Sequence, residues 1–486
     1  MSAKTARREL SKHSENKWVI LALLVLAQFM VVLDVAIVNV ALPSIARELH
    51  FAANNLQWVI TAYTLTFGGF LLLGGRAADL FGRRKIFMVA VSFFALASLA
   101  CGLAQSETQI IVLRAIQGLA GAFMSPAALS IVLSEFKEGK ERDTAMGVWA
   151  AVSAGGAAAG VLLGGVLTQY LNWRWNFFVN VPVGLGVVLA SARLLPHHIG
   201  EENEKVKLDL PGAFLATSGL MSLVYGLSKA PNLGWGSHTV IGFIAAGVVL
   251  ILAFLWNERR TDQPLMPLTI FKIKNVLGAN AAFLVIACTM FSMFFFLTLY
   301  VQQVLGYSPV KSGLCFLPVT FIIGIISGVV SKLVGKVGYK PFMVAGPAVL
   351  AVGLYTLSIT LKVHGNYWHN VFPGLGTSAV GMGLTFVAGS LAATSGVPKH
   401  LSGLASGVLN TAQQVGGAIG LAILSAVAFS TVRSDAAAHI GPKFAQVHGY
   451  RSGLHVGIGL AILAVLVVVF VVKNHKVDPK EAMMAG

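Results

Sequence analysis

Fourteen apolar runs, each long enough to cross a lipid bilayer, are the feature that most constrains how this chain folds. A helix rises 1.5 Å per residue, so a hydrocarbon core about 30 Å thick requires ~20 apolar residues. Sustained runs favour helices over the short alternating strands of a membrane barrel. The sequence therefore predicts an all-α integral membrane protein. The fourteen runs cover residues 18–42, 55–75, 86–105, 108–133, 144–170, 176–196, 211–229, 238–256, 276–303, 313–334, 341–361, 370–394, 403–431 and 452–473.

The charge of the chain predicts its topology. Charged residues make up only 11% of the 486, yet the net charge is +16. If the basic tail 1–17 lies in the cytoplasm and the runs are crossed in turn, 26 of the 35 Lys and Arg fall on the cytoplasmic side. This bias follows the positive-inside rule. It predicts that both termini are cytoplasmic, and it explains the positive charge without a nucleic-acid partner.

The spans divide as six, two and six. The longest polar stretch, residues 196–209, follows the sixth run, and six runs remain after the pair within 211–256. A similar pattern follows the second and the tenth run. Gly328, Lys332 and Gly335 lie 253 residues after Gly75, Asp79 and Gly82, so a lysine replaces the acid. Two related six-helix halves are a known transporter plan. We therefore expect a cytoplasmic tail (1–17), a first bundle (18–196), a linker with two extra helices (197–275), a second bundle (276–473) and a cytoplasmic tail (474–486). A lipid-facing insertion would account for the extra pair, whose role stays open.

Asp34 is the acid that falls inside an apolar run, and Arg114 is its cationic counterpart. A carboxylate in the membrane core costs several kcal/mol unless it is paired, wetted or protonated, so such residues mark functional sites. Asp34 and Arg114 lie at similar depths, roughly 12 and 9 Å below the outer helix ends. The sequence predicts that they pair. Either the pair merely joins two helices, or it takes up and releases a proton during a conformational cycle.

Residues 75–85 are predicted to form a cytoplasmic loop. Glycines in such a loop permit a tight turn and close helix approach. Asp79 is expected to cap a neighbouring helix or to pair with an arginine of a cytoplasmic gate. Positive-inside anchoring alone explains the consecutive bases, but not the spaced glycines and acid. The candidate gate residues are Gly75, Asp79, Gly82, Arg83 and Arg84.

Several segments together resemble the fourteen-span drug:proton antiporters of the major facilitator superfamily. The resemblance covers nearly the whole chain and implies the major facilitator fold, two six-helix bundles with two extra transmembrane helices. It also implies that Arg114, with Gln117 and Gly118, takes part in proton transfer. The matching segments are 33–43, 75–85, 114–118, 173–182, 300–309 and 403–417.

The fifth run departs from the family pattern at one position. The antiporter motif of the family reads Gly-Pro-x-x-Gly-Gly, and Val161 stands where the proline is expected. The glycines still form a flat face for close helix packing, but the kink that a proline produces is lost. The departure therefore concerns the direction and coupling of transport and not the fold. The motif glycines are Gly156, Gly160, Gly164 and Gly165.

Polar and aromatic residues in or near the runs are candidates for a substrate cavity, with interhelical hydrogen bonding as the alternative for Asn410 and Gln414. The candidates are Asn39, Tyr63, Gln117, Tyr300, Gln302, Asn410, Gln413 and Gln414.

These features predict a proton-coupled exporter of hydrophobic or cationic small molecules that works by alternating access. The expected partners are the small-molecule substrate, protons and the lipid bilayer of the cell membrane. We expect no cofactor besides the proton, no metal, no enzymatic activity and no obligate protein partner. Two alternatives stay open: a uniporter or importer on the same fold, and a non-transporting membrane sensor or membrane enzyme.

Overall fold

The computed structural model describes residues 3–52, 55–136, 139–195, 208–398 and 401–474. Most of the charged linker predicted at 196–209 and almost all of the tail predicted at 474–486 lie outside these ranges. Fourteen helices within the described ranges are long and apolar enough to cross a membrane. The chain is therefore a multi-pass membrane protein, and the predicted number of spans is confirmed.

The helices are labelled in chain order. They are α1 (Ala3–Glu48), α2 (Trp58–Phe81), α3 (Arg83–Gly102), α4 (Glu107–Glu135), α5 (Lys140–Tyr170), α6 (Trp175–Leu194), α7 (Leu210–Leu233), α8 (His238–Arg260), α9 (Lys274–Val304), α10 (Pro309–Val337), α11 (Lys340–Thr360), α12 (Tyr367–Thr394), α13 (Ser402–Ala437) and α14 (Pro442–Val471). The last turn of α9 and the first turn of α12 are π-helical. We call the face where α1 begins the terminus face, and the opposite one the far face.

The segment 75–85 is not the loop that the sequence predicts. Helix α2 continues to Phe81, and Gly82 alone separates it from α3. Residues 76–81 hold no helix breaker, so the helix ends only where Gly82 adopts a φ of +92°, a conformation that favours glycine. The corresponding turn after α10 is at Gly338, which has a φ of +87°. It lies three residues beyond Gly335, the glycine that matches Gly82 in the repeated pattern.

The two groups of six helices each pack internally. In the first group α2 packs on α4, α1 on α5 and α3 on α4. In the second, α11 packs on α12, α9 on α13 and α11 on α14. The groups meet along two seams, α5 against α10 and α2 against α13. The two bundles are thus joined along two seams, and α1, which carries Asp34, belongs to the first bundle.

Helices α7 and α8 cover the α2–α13 seam. Helix α7 packs against α8, α2 and α13, while α8 remains largely exposed on the outside. Near the far face, the Trp58 indole of α2 donates to the Ser228 hydroxyl at 3.2 Å, and Arg433 of α13 donates to the Pro231 carbonyl at 2.9 Å. At the terminus face, Arg76 of α2 donates to the Gln263 carbonyl in the α8–α9 linker at 2.6 Å. Helix α7 therefore bridges the two bundles, and only α8 resembles a lipid-facing insertion.

The α5–α10 seam is closed at the far face. Val310 N donates to Gln169 Oε1 at 3.2 Å, and a Cβ added to Gly165 would lie 2.7 Å from the Pro309 carbonyl oxygen. Gln302 of α9 also donates to the Val40 carbonyl of α1 at 2.9 Å. These contacts join the bundles beyond the level of Asp34.

Candidate functional site

Asp34 and Arg114 form a buried ion pair near the middle of the first bundle. Arg114 Nη1 lies 2.5 Å from Asp34 Oδ2, and neither side chain is more than 1% exposed. Asp34 comes from α1 and Arg114 from α4, which begins at the far face only seven residues earlier. The structure thus brings together the acid and the base that the sequence places at similar depths.

Two amides complete the surroundings of the carboxylate. Gln117 Nε2 donates to Asp34 Oδ1 at 2.8 Å, and Asn180 Nδ2 of α6 donates to the same oxygen at 3.0 Å. Gln117 Oε1 in turn accepts from Arg114 Nη1 at 2.8 Å. Both carboxylate oxygens are therefore hydrogen-bonded to buried donors. We call Asp34, Arg114, Gln117 and Asn180 the carboxylate cluster.

The guanidinium is fixed from three sides. Arg114 Nε donates to the Val59 carbonyl of α2 at 2.9 Å, and the guanidinium carbon lies 4.3 Å from the centre of the Tyr63 ring. The Phe177 ring lies on another side at 5.8 Å. Cation–π contact with a desolvated ring adds to the electrostatic stabilisation of the cation. The buried Tyr63 hydroxyl has no hydrogen-bond partner, so Tyr63 supplies its ring rather than its oxygen.

The glycine face of α5 lies directly against the part of α1 that carries Asp34. A Cβ added to Gly160 would lie 2.7 Å from Ala36 Cβ and 3.0 Å from the Leu33 carbonyl oxygen. A Cβ on Gly164 would lie 2.7 Å from the Ile37 carbonyl oxygen. Glycine at these positions lets the two helices approach closely. Gly156 faces the same helix, whereas Gly165 faces α10.

The family model described as Major Facilitator Superfamily matches residues 24–421, which include all four members of the carboxylate cluster. The chain belongs to the major facilitator superfamily. This major facilitator is a membrane transporter and not an enzyme.

Its relatives include proteins named for antibiotic resistance and export. The puromycin resistance protein pur8 of Streptomyces alboniger is 40% identical over 92% of this chain and 89% of its own length. The cephamycin export protein CmcT of Amycolatopsis lactamdurans is 38% identical over 91% and 89%. The lincomycin resistance protein of Streptomyces lincolnensis is 34% identical over 96% and 94%.

Solved structures share the fold of this major facilitator. A bacterial homolog of the human lysosomal transporter Spinster, inward-facing and occupied, aligns with a TM-score of 0.65 at 16% identity, over 93% of this chain and 96% of its own. The POT family transporter PepTSo aligns with a TM-score of 0.64 at 17% identity, over 94% of this chain and 97% of its own. At these identities the likeness supports the fold alone.

The structure separates the predicted cavity residues of this transporter into several places. Tyr63 and Gln117 belong to the surroundings of Asp34. Gln302 lies at the far-face closure, and the buried Tyr300 hydroxyl bonds to the backbone of Lys362 in the α11–α12 connection. The remaining four do not join the carboxylate cluster. Asn39 donates to the Val35 carbonyl of its own helix, and Gln414 packs on Gly68 at the α2–α13 seam. Asn410 and Gln413 are half-buried.

The predicted gate residues lie at the terminus face of this transporter. Asp79 pairs with Arg83 at 3.2 Å on an exposed surface, and it does not cap α3, whose N-cap is Gly82. Arg84 donates to the Ala192 carbonyl of α6 at 2.6 Å. The close helix approach expected of Gly75 is made instead by its neighbour Gly74, where an added Cβ would meet the Ala122 carbonyl of α4. Helix geometry, which fixes which of two adjacent glycines faces α4, decides this difference.

Asn180 belongs to the cluster although the sequence predicts no role for it beyond its place in the segment 173–182. A polar amide near the start of an apolar run is the only sign of a function that the sequence offers. The amide lies close to Asp34 because α6 packs beside α1 and α3. Ser98 of α3 supports the amide, since its hydroxyl oxygen lies 3.1 Å from Asn180 Nδ2.

Proposed function

We propose that this protein exports hydrophobic or cationic small molecules in exchange for protons, by alternating access between its two bundles. The carboxylate cluster is the observation that carries the proposal. Arg114 and Gln117 come from α4 and Asn180 from α6, whereas the carboxylate they bind comes from α1, so the cluster holds together only while these three helices keep their present packing. A conformational change that moves α1 would withdraw these donors.

Alternating access supplies the withdrawal. The far-face contacts of Gln302 with Val40 and of Gln169 with Val310 join α1 and α5 to the second bundle. Opening this face breaks both contacts and frees α1 to move relative to α4 and α6. Asp34 then loses donors, gains access to water and binds a proton. Closure restores the donors and favours its release.

The substrate class rests on the relatives and on the charge of the site. The relatives are named for puromycin, cephamycin and lincomycin, which differ widely in chemistry. A single buried carboxylate is suited to a cation or a proton but not to both at once, so their binding is competitive. We place the protein in the cell membrane with the terminus face in the cytoplasm, as the distribution of basic residues requires.

Everted vesicles from an efflux-deficient host test the proposal. With an acid-inside pH gradient, vesicles carrying the natural chain should accumulate ethidium, and vesicles carrying Asp34→Asn should not. Glu141→Gln is the matched control, since Glu141 is a partly exposed acid paired with Lys17 at 2.7 Å at the terminus face. Gradient-driven accumulation that survives Asp34→Asn would rule out the proton-coupling role.

A uniporter or importer is the second candidate, and α5 gives a reason to test it. The helix runs from Lys140 to Tyr170, and within it Val161 stands where the antiport motif has a proline that would kink the helix. In the same vesicles a uniporter would equilibrate ethidium regardless of the pH gradient. An importer would accumulate its substrate in right-side-out vesicles instead.

A further inference from the structure

An apolar cavity lies between the two extra helices, α7 and α8, and the α2–α13 seam. We call these two helices the inserted pair. The volume of the cavity is about 320 Å³, within the range of small-molecule sites. Its wall is formed by helices of both bundles and of the inserted pair, in the half of the membrane near the terminus face. Representative lining residues are Leu72 (α2), Leu220 (α7), Phe254 (α8), Asn280 (α9) and Ala412 and Val415 (α13).

Asn280 supplies a polar group to this apolar wall. The residue is only 5% exposed. Its Nδ2 donates to the Val276 carbonyl at 2.8 Å, and its Oδ1 is buried without a hydrogen-bond partner. A buried acceptor without a donor is costly, and native proteins rarely keep one without a reason.

From the cavity and this unpartnered acceptor we infer a second ligand site. It binds an uncharged, mainly apolar small molecule that carries one hydrogen-bond donor, and the donor bonds to Asn280 Oδ1. The apolar body fills the space between α7, α8 and the seam. The inserted pair thereby acquires a function, since it forms the outer wall of the site.

The site is distinct from the carboxylate cluster. Its lining belongs to α2, α7, α8, α9, α13 and the linker after α8, and includes no member of the cluster. Its ligand is therefore held without charge neutralisation. The inference extends the proposed export of hydrophobic molecules, but binding to the site requires neither a pH gradient nor Asp34.

Two ligand sources share the required chemistry, a membrane lipid with a free hydroxyl and an aromatic drug with an N–H. Photolabelling in nanodiscs distinguishes them. The probes are diazirine derivatives of a monoacylglycerol and of N-phenyl-1-naphthylamine, each beside its donor-blocked methyl derivative. We expect one donor-bearing probe to label peptides of α9 and α13 about five-fold more than its blocked form, as loss of one hydrogen bond predicts. The probe that does so identifies the source.

Three variants of the whole chain complete the test. Ala412→Phe, which fills the cavity, should abolish this labelling, and Asn280→Leu should remove the preference for the donor-bearing probe. Ala246→Phe adds the same bulk on the exposed surface of α8 and should label as the natural chain does. Asp34→Asn should also label normally, which separates this site from the failure of transport. Labelling that is insensitive to Ala412→Phe, or equal for donor-bearing and blocked probes in the natural chain, would overturn the inference.

Discussion

Arg114 on α4 reaches across to Asp34 on α1 with 2.5 Å between Nη1 and Oδ2, and both side chains are buried. A buried pair is costly to form, because both charges lose water, but removing one partner is costlier still, because it leaves a lone charge. The pair is therefore sensitive to the loss of either partner alone.

Arg114→Gln should destabilise the folded protein by about 3–5 kcal/mol, because it leaves the Asp34 carboxylate without its counter-charge. The double variant Arg114→Gln/Asp34→Asn should recover most of this loss, since no lone charge remains. Thermal unfolding of the detergent-purified proteins measures both. Losses that simply add would show that the two residues do not interact.

Asn180→Leu should lower gradient-driven transport about ten-fold. The substitution removes a hydrogen bond to the Asp34 carboxylate, and a bond to a charged group is worth about 1.5–3 kcal/mol, which corresponds to roughly ten-fold or more. Ethidium accumulation in everted vesicles with an acid-inside pH gradient measures the loss.

Asn176→Leu is the matched control for that experiment. Asn176 is a buried asparagine on the same helix, and it donates to Thr168 at 2.7 Å rather than to Asp34. We expect it to lower stability without lowering the transport of each folded molecule. Equal losses of transport per folded molecule in both variants would mean that Asn180 acts only through packing.

Gly160→Val should abolish transport, whereas Gly155→Val should leave it intact. The added side chain at position 160 would press on Ala36 and Leu33 beside Asp34, and overpacking of this kind costs about 1–3 kcal/mol. A Cβ on Gly155 meets nothing within 4 Å. Ethidium efflux normalised to the amount of protein in the membrane compares them. Normal efflux by Gly160→Val would show that the α1–α5 contact is not needed for the cycle.

A cross-link between α5 and α10 at the far face should stop transport. Gln169 and Val310 touch across that seam, so Gln169→Cys/Val310→Cys should form a disulfide on mild oxidation. Cys101, Cys288 and Cys315 are buried and should not interfere. Transport should fall to below about a tenth and return on reduction, as expected if the seam must open in each cycle. Full activity of the oxidised protein would exclude opening at this face.

The number of spans, the helical fold and the pairing of one acid with one base can all be predicted from the linear chain. The length of an apolar run predicts a helix that crosses the bilayer. Because a lone charge in the membrane core is costly, Asp34 and Arg114 are each expected to pair with the other. These are local or one-to-one constraints, which a linear chain displays directly.

Which other residues join this pair depends on helix packing, which the linear chain does not display. Asn180 reaches Asp34 because α6 packs beside α1, Gln302 belongs to the far-face closure rather than to the cluster, and α7 covers the α2–α13 seam. Each of these facts depends on how helices distant in the chain are rotated and packed. In a membrane that rotation is set by small-residue contacts, such as Gly160 on Ala36, and by interhelical hydrogen bonds. The apolar pattern does not set it, because a lipid tail and a neighbouring helix are equally apolar.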